Sequence, residues 1–105
     1  MRVRLKAGAR ADLLAIRDWG VDRWGSARTR DFLEGLIRAI ERLADYPHLG
    51  RSRDVFLPGL RSISHAGYII FYVSDEDGPV VLAVLHERRN HGALDFAERS
   101  NESER

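Results

Sequence analysis

The chain begins with the hydrophobic period of a strand and then changes to that of a helix. Polar and apolar residues alternate over residues 2–6, which predicts a half-buried strand that Gly8 ends. From residue 9 the apolar residues return every three or four positions, which predicts an amphipathic helix that ends at Gly25. The stripe expected to face the core contains Ala9, Leu13, Ile16, Gly20 and Trp24.

A second amphipathic helix is predicted from about residue 27 to residue 45. Pro47 disfavours helical backbone at Tyr46, so the helix is expected to end there. Because the link between the two helices is very short, they are expected to form an antiparallel hairpin. The apolar face of the second helix contains Phe32, Leu33, Leu36, Ile37, Ile40, Leu43 and Ala44.

Three strands are predicted in the second half of the chain, at about residues 60–65, 68–74 and 80–86. Ala66 and Gly67 are placed to form a two-residue turn between the first two strands. The cross-strand pairs that follow from such a turn are His65 with Tyr68, Ile63 with Ile70 and Arg61 with Tyr72.

These elements predict an α+β fold. It consists of a small antiparallel β-sheet, which includes the N-terminal strand, and an α-helical hairpin packed on one face. The other face is expected to be open to solvent or to a partner. We expect one domain over residues 1–97 and a polar, flexible tail over residues 98–105.

The composition is that of a globular protein. The 105 residues suffice for one modest core, and 17 basic against 16 acidic residues give a net charge of +1. The chain therefore lacks a strong field for nucleic acid, and no sequence-specific DNA binding is expected of it alone. Cysteine is absent, which excludes disulfides and cysteine metal sites. With no apolar signal core and no long apolar run, a cytoplasmic location without membrane insertion is expected.

Several short strings, taken in order, resemble one known family. The segments are Ala11-Asp12-Leu13-Leu14-Ala15-Ile16, Trp24-Gly25, Leu43-Ala44-Asp45-Tyr46-Pro47-His48-Leu49-Gly50-Arg51, Pro58-Gly59-Leu60-Arg61-Ser62, Tyr68-Ile69-Ile70-Phe71-Tyr72 and Val84-Leu85-His86. Together they look like the ParE branch of the ParE/RelE toxins of type II toxin–antitoxin modules, over roughly residues 1–92. The resemblance implies a toxin bound by a ParD-like antitoxin in a hetero-oligomer. It also implies DNA gyrase as the target, inhibited by binding without catalysis.

The alternative within the same superfamily is a RelE-like, ribosome-dependent messenger RNA endonuclease. That activity needs a base and clustered cations on the open sheet face. Lys6 is the only lysine, no tyrosine follows Tyr72, and Glu87 stands where a cation would bind phosphate. The residues that keep the endonuclease alternative open are His65, His86, Arg88 and Arg89. A third alternative is a non-toxic member retained for complex formation.

The candidate site residues fall into two groups. For target binding and toxicity we expect Arg61, from the family string, and the strand-end residues His86, Arg88 and Arg89. For antitoxin binding we expect Trp19, at the edge of the first helix's stripe, and Tyr72. Packing against the fold is the structural alternative for Arg61 and Trp19. No catalytic residue, metal or cofactor is expected, since the four histidines lack zinc-ligand spacing.

Overall fold

A computed structural model describes residues 2–104 and has five strands and three α-helices in this range. The strands are β1 (Arg4–Leu5), β2 (Arg51–Ser52), β3 (Arg61–His65), β4 (Tyr68–Asp75) and β5 (Gly78–His86). The helices are α1 (Ala7–Trp24), α2 (Ser26–Glu41) and α3 (Phe96–Asn101), with 3-10 turns at Arg42–Ala44 and His91–Ala93. The strands form one sheet in the order β1-β5-β4-β3-β2. The predicted α+β class is confirmed.

The predicted hairpin of β3 and β4 is confirmed in its register. His65 lies opposite Tyr68, Ile63 opposite Ile70 and Arg61 opposite Tyr72. The turn between the strands needs positive φ at both central residues, and Ala66 and Gly67 have φ values of 48° and 87°. A glycine meets this requirement without strain, whereas Ala66 adopts it at a cost.

The sheet is mixed rather than wholly antiparallel. The N-terminal strand joins it as predicted, but β1 runs parallel to β5, with Leu5 opposite Val81. Parallel neighbours need a long crossover, and here the segment from residue 6 to residue 77 provides it. The two-residue strand β2, which the sequence did not reveal, pairs with β3 at the other edge.

The helical hairpin covers one face of the sheet, as predicted. Buried residues of both helices, among them Ile16 and Leu36, pack here against Ile70, Tyr72 and Val84 of the sheet. The predicted stripe of α1 is buried at Ala9, Ile16 and Gly20. Trp24 differs from the prediction, because it lies at the end of α1 and remains 36% exposed.

The opposite face of the sheet is covered, which corrects the expectation of an open face. Phe71, Leu82, Ala83 and Leu85 form a second buried cluster with Leu60 and Phe96. Phe96 packs against both Phe56 and Phe71, with ring centroids at 5.5 and 4.8 Å. The strands therefore bury apolar residues on both faces, and this explains why β5 is a nearly continuous apolar run.

Residues 98–104 form a packed segment where a flexible tail was predicted. Asp95 caps α3 by accepting a hydrogen bond from the Glu98 backbone N–H at 3.0 Å. Beyond α3, the Glu102 carboxylate accepts from the N–H of Gly8 at 2.8 Å. The Ser103 carbonyl accepts from the N–H of Ala7 at 2.7 Å. The segment thus supplies the N-terminal cap of α1, because Lys6 at the N-cap position makes no capping side-chain bond.

An ion pair between helices α1 and α3 binds backbone groups of β5 beyond the short strand β1, which pairs only with Val80 and Val81. Tyr72 lies opposite Val81 and Phe71 opposite Ala83, so Leu82 is the extra residue of a β-bulge. The Leu82 carbonyl accepts from Arg99 Nη1 at 2.8 Å, and the Val84 N–H donates to Asp12 Oδ2 at 3.0 Å. Asp12 and Arg99 are themselves 3.0 Å apart. We call this arrangement the Asp12–Arg99 clamp.

Candidate functional site

A shallow groove of about 230 Å³ runs between α1 and the end of β5. It brings together residues that were predicted for two different roles. Trp19, predicted to bind the antitoxin, comes from α1, and His86 and Arg89, predicted to bind the target, come from the strand end. We call it the strand-end groove. Its lining consists of Asp12, Ala15, Ile16, Trp19, Tyr68, Val84, Leu85, His86 and Arg89.

Edge-to-face aromatic contacts connect the two walls of the groove. The Trp19 and Trp24 rings are 5.2 Å apart, and Trp24 is 5.6 Å from Phe32 of α2. Phe32 is 5.7 Å from Tyr68, which is 5.4 Å from His86 on the neighbouring strand. Such contacts hold aromatic side chains in defined orientations. The Trp19 and Tyr68 rings on the two sides of the groove are therefore linked by ring contacts through Trp24 and Phe32.

The basic strand end is exposed at one end of this groove. His86, Arg88 and Arg89 all belong to the exposed class of residues. The backbone N–H of Arg88 donates to His86 Nδ1 at 3.2 Å, so the proton of the neutral imidazole lies on Nε2. Arg88 belongs to the strand end but does not line the groove. Burial raises the pKa of the Tyr68 phenol above its ordinary value.

Trp19 is accessible to a partner, as its predicted role requires. It is 46% exposed, and the guanidinium of Arg23 lies 4.7 Å from its ring centroid. A tryptophan that is half exposed and already oriented by neighbours loses little conformational freedom on binding, which suits it to an interface. Its role in antitoxin binding stays a prediction.

Tyr72 and Arg61 lie further along the sheet and serve the structure of one loop. Tyr72 is completely buried, so its side chain is not part of the exposed surface, and its role in antitoxin binding stays a prediction. Its hydroxyl donates to the Pro47 carbonyl at 2.8 Å and accepts from the Gly50 N–H at 2.9 Å. Arg61 Nη1 donates to the Gly50 carbonyl at 2.6 Å. The structural alternative for Arg61 is therefore realised, and its role in target binding stays a prediction.

We expect Tyr72→Phe to lower the free energy of unfolding by about 2 kcal/mol, because the buried N–H of Gly50 loses its acceptor. Chemical denaturation monitored by tryptophan fluorescence measures the effect. Tyr46→Phe is the matched control, since Tyr46 is 61% exposed and should change stability by less than about 0.5 kcal/mol. Equal stability of the two variants would show that the Tyr72 hydroxyl does not hold the loop.

A second, more apolar groove of about 430 Å³ lies between α1 and α2 on the outer side of the hairpin, and the sequence analysis missed it. Val21 of α1, which is 39% exposed, lies on one wall, and Leu33 and Ile37 of α2 lie on the other. The sequence did contain one sign of a second apolar surface on α1. Leu14 and Val21 lie two helical turns apart, outside the core stripe, and Val21 lines this groove. We call this the hairpin groove.

Among residues 2–104, no cluster of three or more His, Asp or Glu side chains is arranged to hold a metal ion. In the same range, no helix has both the length and the hydropathy to span a membrane. The groups that line the strand-end groove can instead bind through aromatic surface, hydrogen-bond donors and positive charge.

The chain matches the family model described as "ParE toxin of type II toxin-antitoxin system, parDE" over residues 3–91. This match places it in the class of type II toxin–antitoxin toxins. It ends before α3, so the segment that covers the second sheet face lies outside the matched range.

Two curated relatives and one solved structure agree with this match. The chain is 38% identical to Toxin ParE1 of Mycobacterium tuberculosis over 88 residues, which make up 83% of this chain and 90% of that protein. It is 30% identical to Toxin ParE1 of Caulobacter vibrioides over 90 residues, with the same two coverages. The structure titled "Chromosomal ParDE TA system from P. aeruginosa" matches with a TM-score of 0.71 and 19% identity, over 82% of this chain and 95% of that one. The chain belongs to the ParE toxin family.

Proposed function

We propose that this ParE toxin acts in the cytoplasm by binding DNA gyrase through its basic strand end, and that a ParD-like antitoxin neutralises it. The observation that carries the proposal is the exposed set of His86, Arg88 and Arg89 beside Trp19, in a chain of this family. Arginine and tryptophan are the side chains most enriched at the energetic centres of protein interfaces. The strand end thus has the composition of a protein-binding surface.

The geometry favours binding over RNA cleavage. A RelE-like endonuclease needs cations on an open sheet face, but here the face away from the hairpin is covered by Phe56, Leu94 and Phe96. Lys6 lies at the other end of β5 from His86 and pairs with Glu104 at 3.8 Å. The family model that matches is also that of ParE toxins.

The direct test is a pair of assays on the purified toxin without antitoxin. We expect inhibition of gyrase supercoiling or trapping of cleaved DNA, and no cleavage of messenger RNA on translating ribosomes. Codon-dependent cleavage on ribosomes with gyrase unaffected would overturn the proposal and support the RelE-like alternative. Inactivity in both assays, with no growth defect on expression, would support a non-toxic member.

Replacing both Arg88 and Arg89 with alanine should abolish most of the toxicity while leaving the fold intact. Each charged hydrogen bond lost is worth about 1.5–3 kcal/mol, so gyrase binding should weaken at least about 100-fold. Because both side chains are exposed, stability should change by less than about 0.5 kcal/mol. Growth on induced expression and a melting curve measure the two effects.

The control for this double variant removes two other exposed arginines, Arg38 and Arg42, which lie on α2 and the turn after it. It lowers the net charge by the same amount at a remote place and should keep full toxicity. If both double variants lose toxicity equally, total charge rather than the strand end is responsible. Full toxicity of the Arg88/Arg89 variant would remove the strand end from the proposal.

The apolar flanks of α1 are the surfaces that we assign to the antitoxin. Leu14, Trp19 and Val21 are all exposed, and the last two border the strand-end groove and the hairpin groove respectively. An antitoxin segment present at 100 times its dissociation constant should stabilise the toxin by about 2.7 kcal/mol. A melting curve with and without the antitoxin's carboxy-terminal peptide measures this, and an unchanged midpoint at saturation would contradict the assignment.

A further inference from the structure

The groups that line the strand-end groove have an unusual balance of hydrogen-bonding capacity. Four of the lining residues carry hydrogen-bond donors, namely the Trp19 indole N–H, the Tyr68 hydroxyl, the His86 Nε2–H and the Arg89 guanidinium. Within residues 2–104 no side-chain or backbone acceptor is hydrogen-bonded to any of these four donors.

The single acidic residue in the lining is already bonded to other partners. Asp12 Oδ2 accepts from both the Val84 N–H and Arg99 Nη1, each at 3.0 Å, and Oδ1 accepts from Arg99 Nη2 at 3.3 Å. The Asp12 side chain is only 13% exposed. Glu87 is exposed next to the groove but does not line it. The groove therefore offers donors and positive charge beside apolar side chains, and its carboxylate is already paired with Arg99.

We propose that the strand-end groove binds a carboxylate carried on an apolar segment of the antitoxin, with the carboxylate at Arg89 and His86 and the apolar part between Trp19 and Tyr68. The inference rests on the proposed function for the identity of the partner. It adds the chemistry that the partner must bring and the means of neutralisation. The antitoxin's carboxylate occupies the same His86 and Arg89 that the toxin offers to its target.

A carboxylate fits this groove better than the phosphates of a nucleic acid. Ala15, Ile16 and Val84 add apolar surface to the lining, which contains one arginine and one histidine. Nucleic-acid binding relies on many phosphate contacts along a basic surface, whereas this chain has a net charge of +1. A site lined by apolar side chains and a few placed polar groups suits a ligand that is itself partly apolar, and the arginine and histidine complement a single carboxylate.

The chemistry is tested with 4-phenylbutyrate, which has an aromatic ring and one carboxylate, and with its neutral amide as the matched ligand control. We expect the acid to shift the NMR signals of the Trp19 indole N–H and the Arg89 side chain. We expect binding to weaken at least about fivefold for the amide and for the toxin variant Arg89→Gln, because each loses a charged hydrogen bond. The variant Arg38→Gln should bind like the unchanged protein. Equal affinity for acid and amide, shifts at another place, or tighter binding of inorganic phosphate or oligothymidylate would overturn the inference.

The partner is tested with the toxin–antitoxin complex itself. Arg89→Glu should weaken antitoxin binding at least tenfold, whereas Arg38→Glu should leave it unchanged. Unchanged affinity of Arg89→Glu, in a complex that still forms and neutralises, would overturn the inference and leave the proposed function standing. Failure of any antitoxin to bind the unchanged toxin would instead contradict the proposed function.

Discussion

Replacing Phe96 with alanine is expected to lower the free energy of unfolding by about 4 kcal/mol, the typical cost of removing a buried phenyl ring. Phe96 is 2% exposed and packs against both Phe56 and Phe71, so these rings cannot fill the space without moving. The change also exposes the second face of the sheet. Denaturation in urea measures the loss, and binding of a hydrophobic dye reports the exposed face.

The matched control for Phe96→Ala is Val55→Ala. Val55 lies in the loop before β3 and is 86% exposed, so its loss should change stability by less than about 0.5 kcal/mol. If Phe96→Ala also cost less than 1 kcal/mol, the C-terminal segment would not be part of the core. The conclusion that this segment covers the second face of the sheet would then be wrong.

Replacing Asp12 with alanine is expected to cost about 3 kcal/mol. The substitution removes one member of a largely buried ion pair and leaves both Arg99 and the Val84 N–H without their partner. The two side chains are 13% and 15% exposed, so we take the lower end of the usual range. For a domain of this size the melting temperature should fall by about 15 °C, which calorimetry measures.

Two further variants distinguish the loss of the Asp12–Arg99 clamp from the effect of removing any charged side chain. Asp18→Ala removes a surface partner of Arg17, and because that pair is 53% and 70% exposed, it should cost less than about 0.5 kcal/mol. The double variant Asp12→Ala with Arg99→Ala should cost less than the sum of the single changes, because no charge is then left buried alone. Strict additivity would show that the two side chains do not act together.

The secondary structure was predictable because most elements have a clear hydrophobic period. The turn at Ala66 and Gly67 also fixed the register of β3 and β4 in advance, since a two-residue turn permits a single pairing. The parallel pairing of β1 was not predictable from residues 2–6. The relative direction of β1 and β5 depends on the path of all the elements between them. An alternating pattern of residues indicates burial but not strand direction.

The cover on the second face of the sheet was not predictable for a related reason. Residues 98–104 read as a polar tail because their anchoring contacts are polar, through Arg99 and Glu102. The partners of these side chains, Asp12 and Gly8, lie far away in the sequence. Composition does not indicate such long-range ion pairs and caps. A charged segment that is packed against the fold therefore has the same sequence pattern as a flexible charged tail.

The candidate site was predictable in part of its membership and not in its arrangement. Trp19, His86 and Arg89 were each selected from the sequence, but their convergence on one groove depends on how α1 crosses β5. Tyr72 was predicted to pair with Arg61 across the strands, and this pairing is correct. Its burial could not be seen, because it follows from the loop at Pro47 and Gly50 that folds over its hydroxyl.

The cap that Glu102 and Ser103 place on the first turn of α1 has a consequence for the order of events during synthesis. Helix α1 is among the first elements to leave the ribosome, but its N-terminal turn has no local cap and waits for residues made more than ninety positions later. Folds that depend on contacts of long sequence separation form slowly. The N-terminal turn of α1 in a nascent chain therefore stays without its cap until residues 102 and 103 have been made.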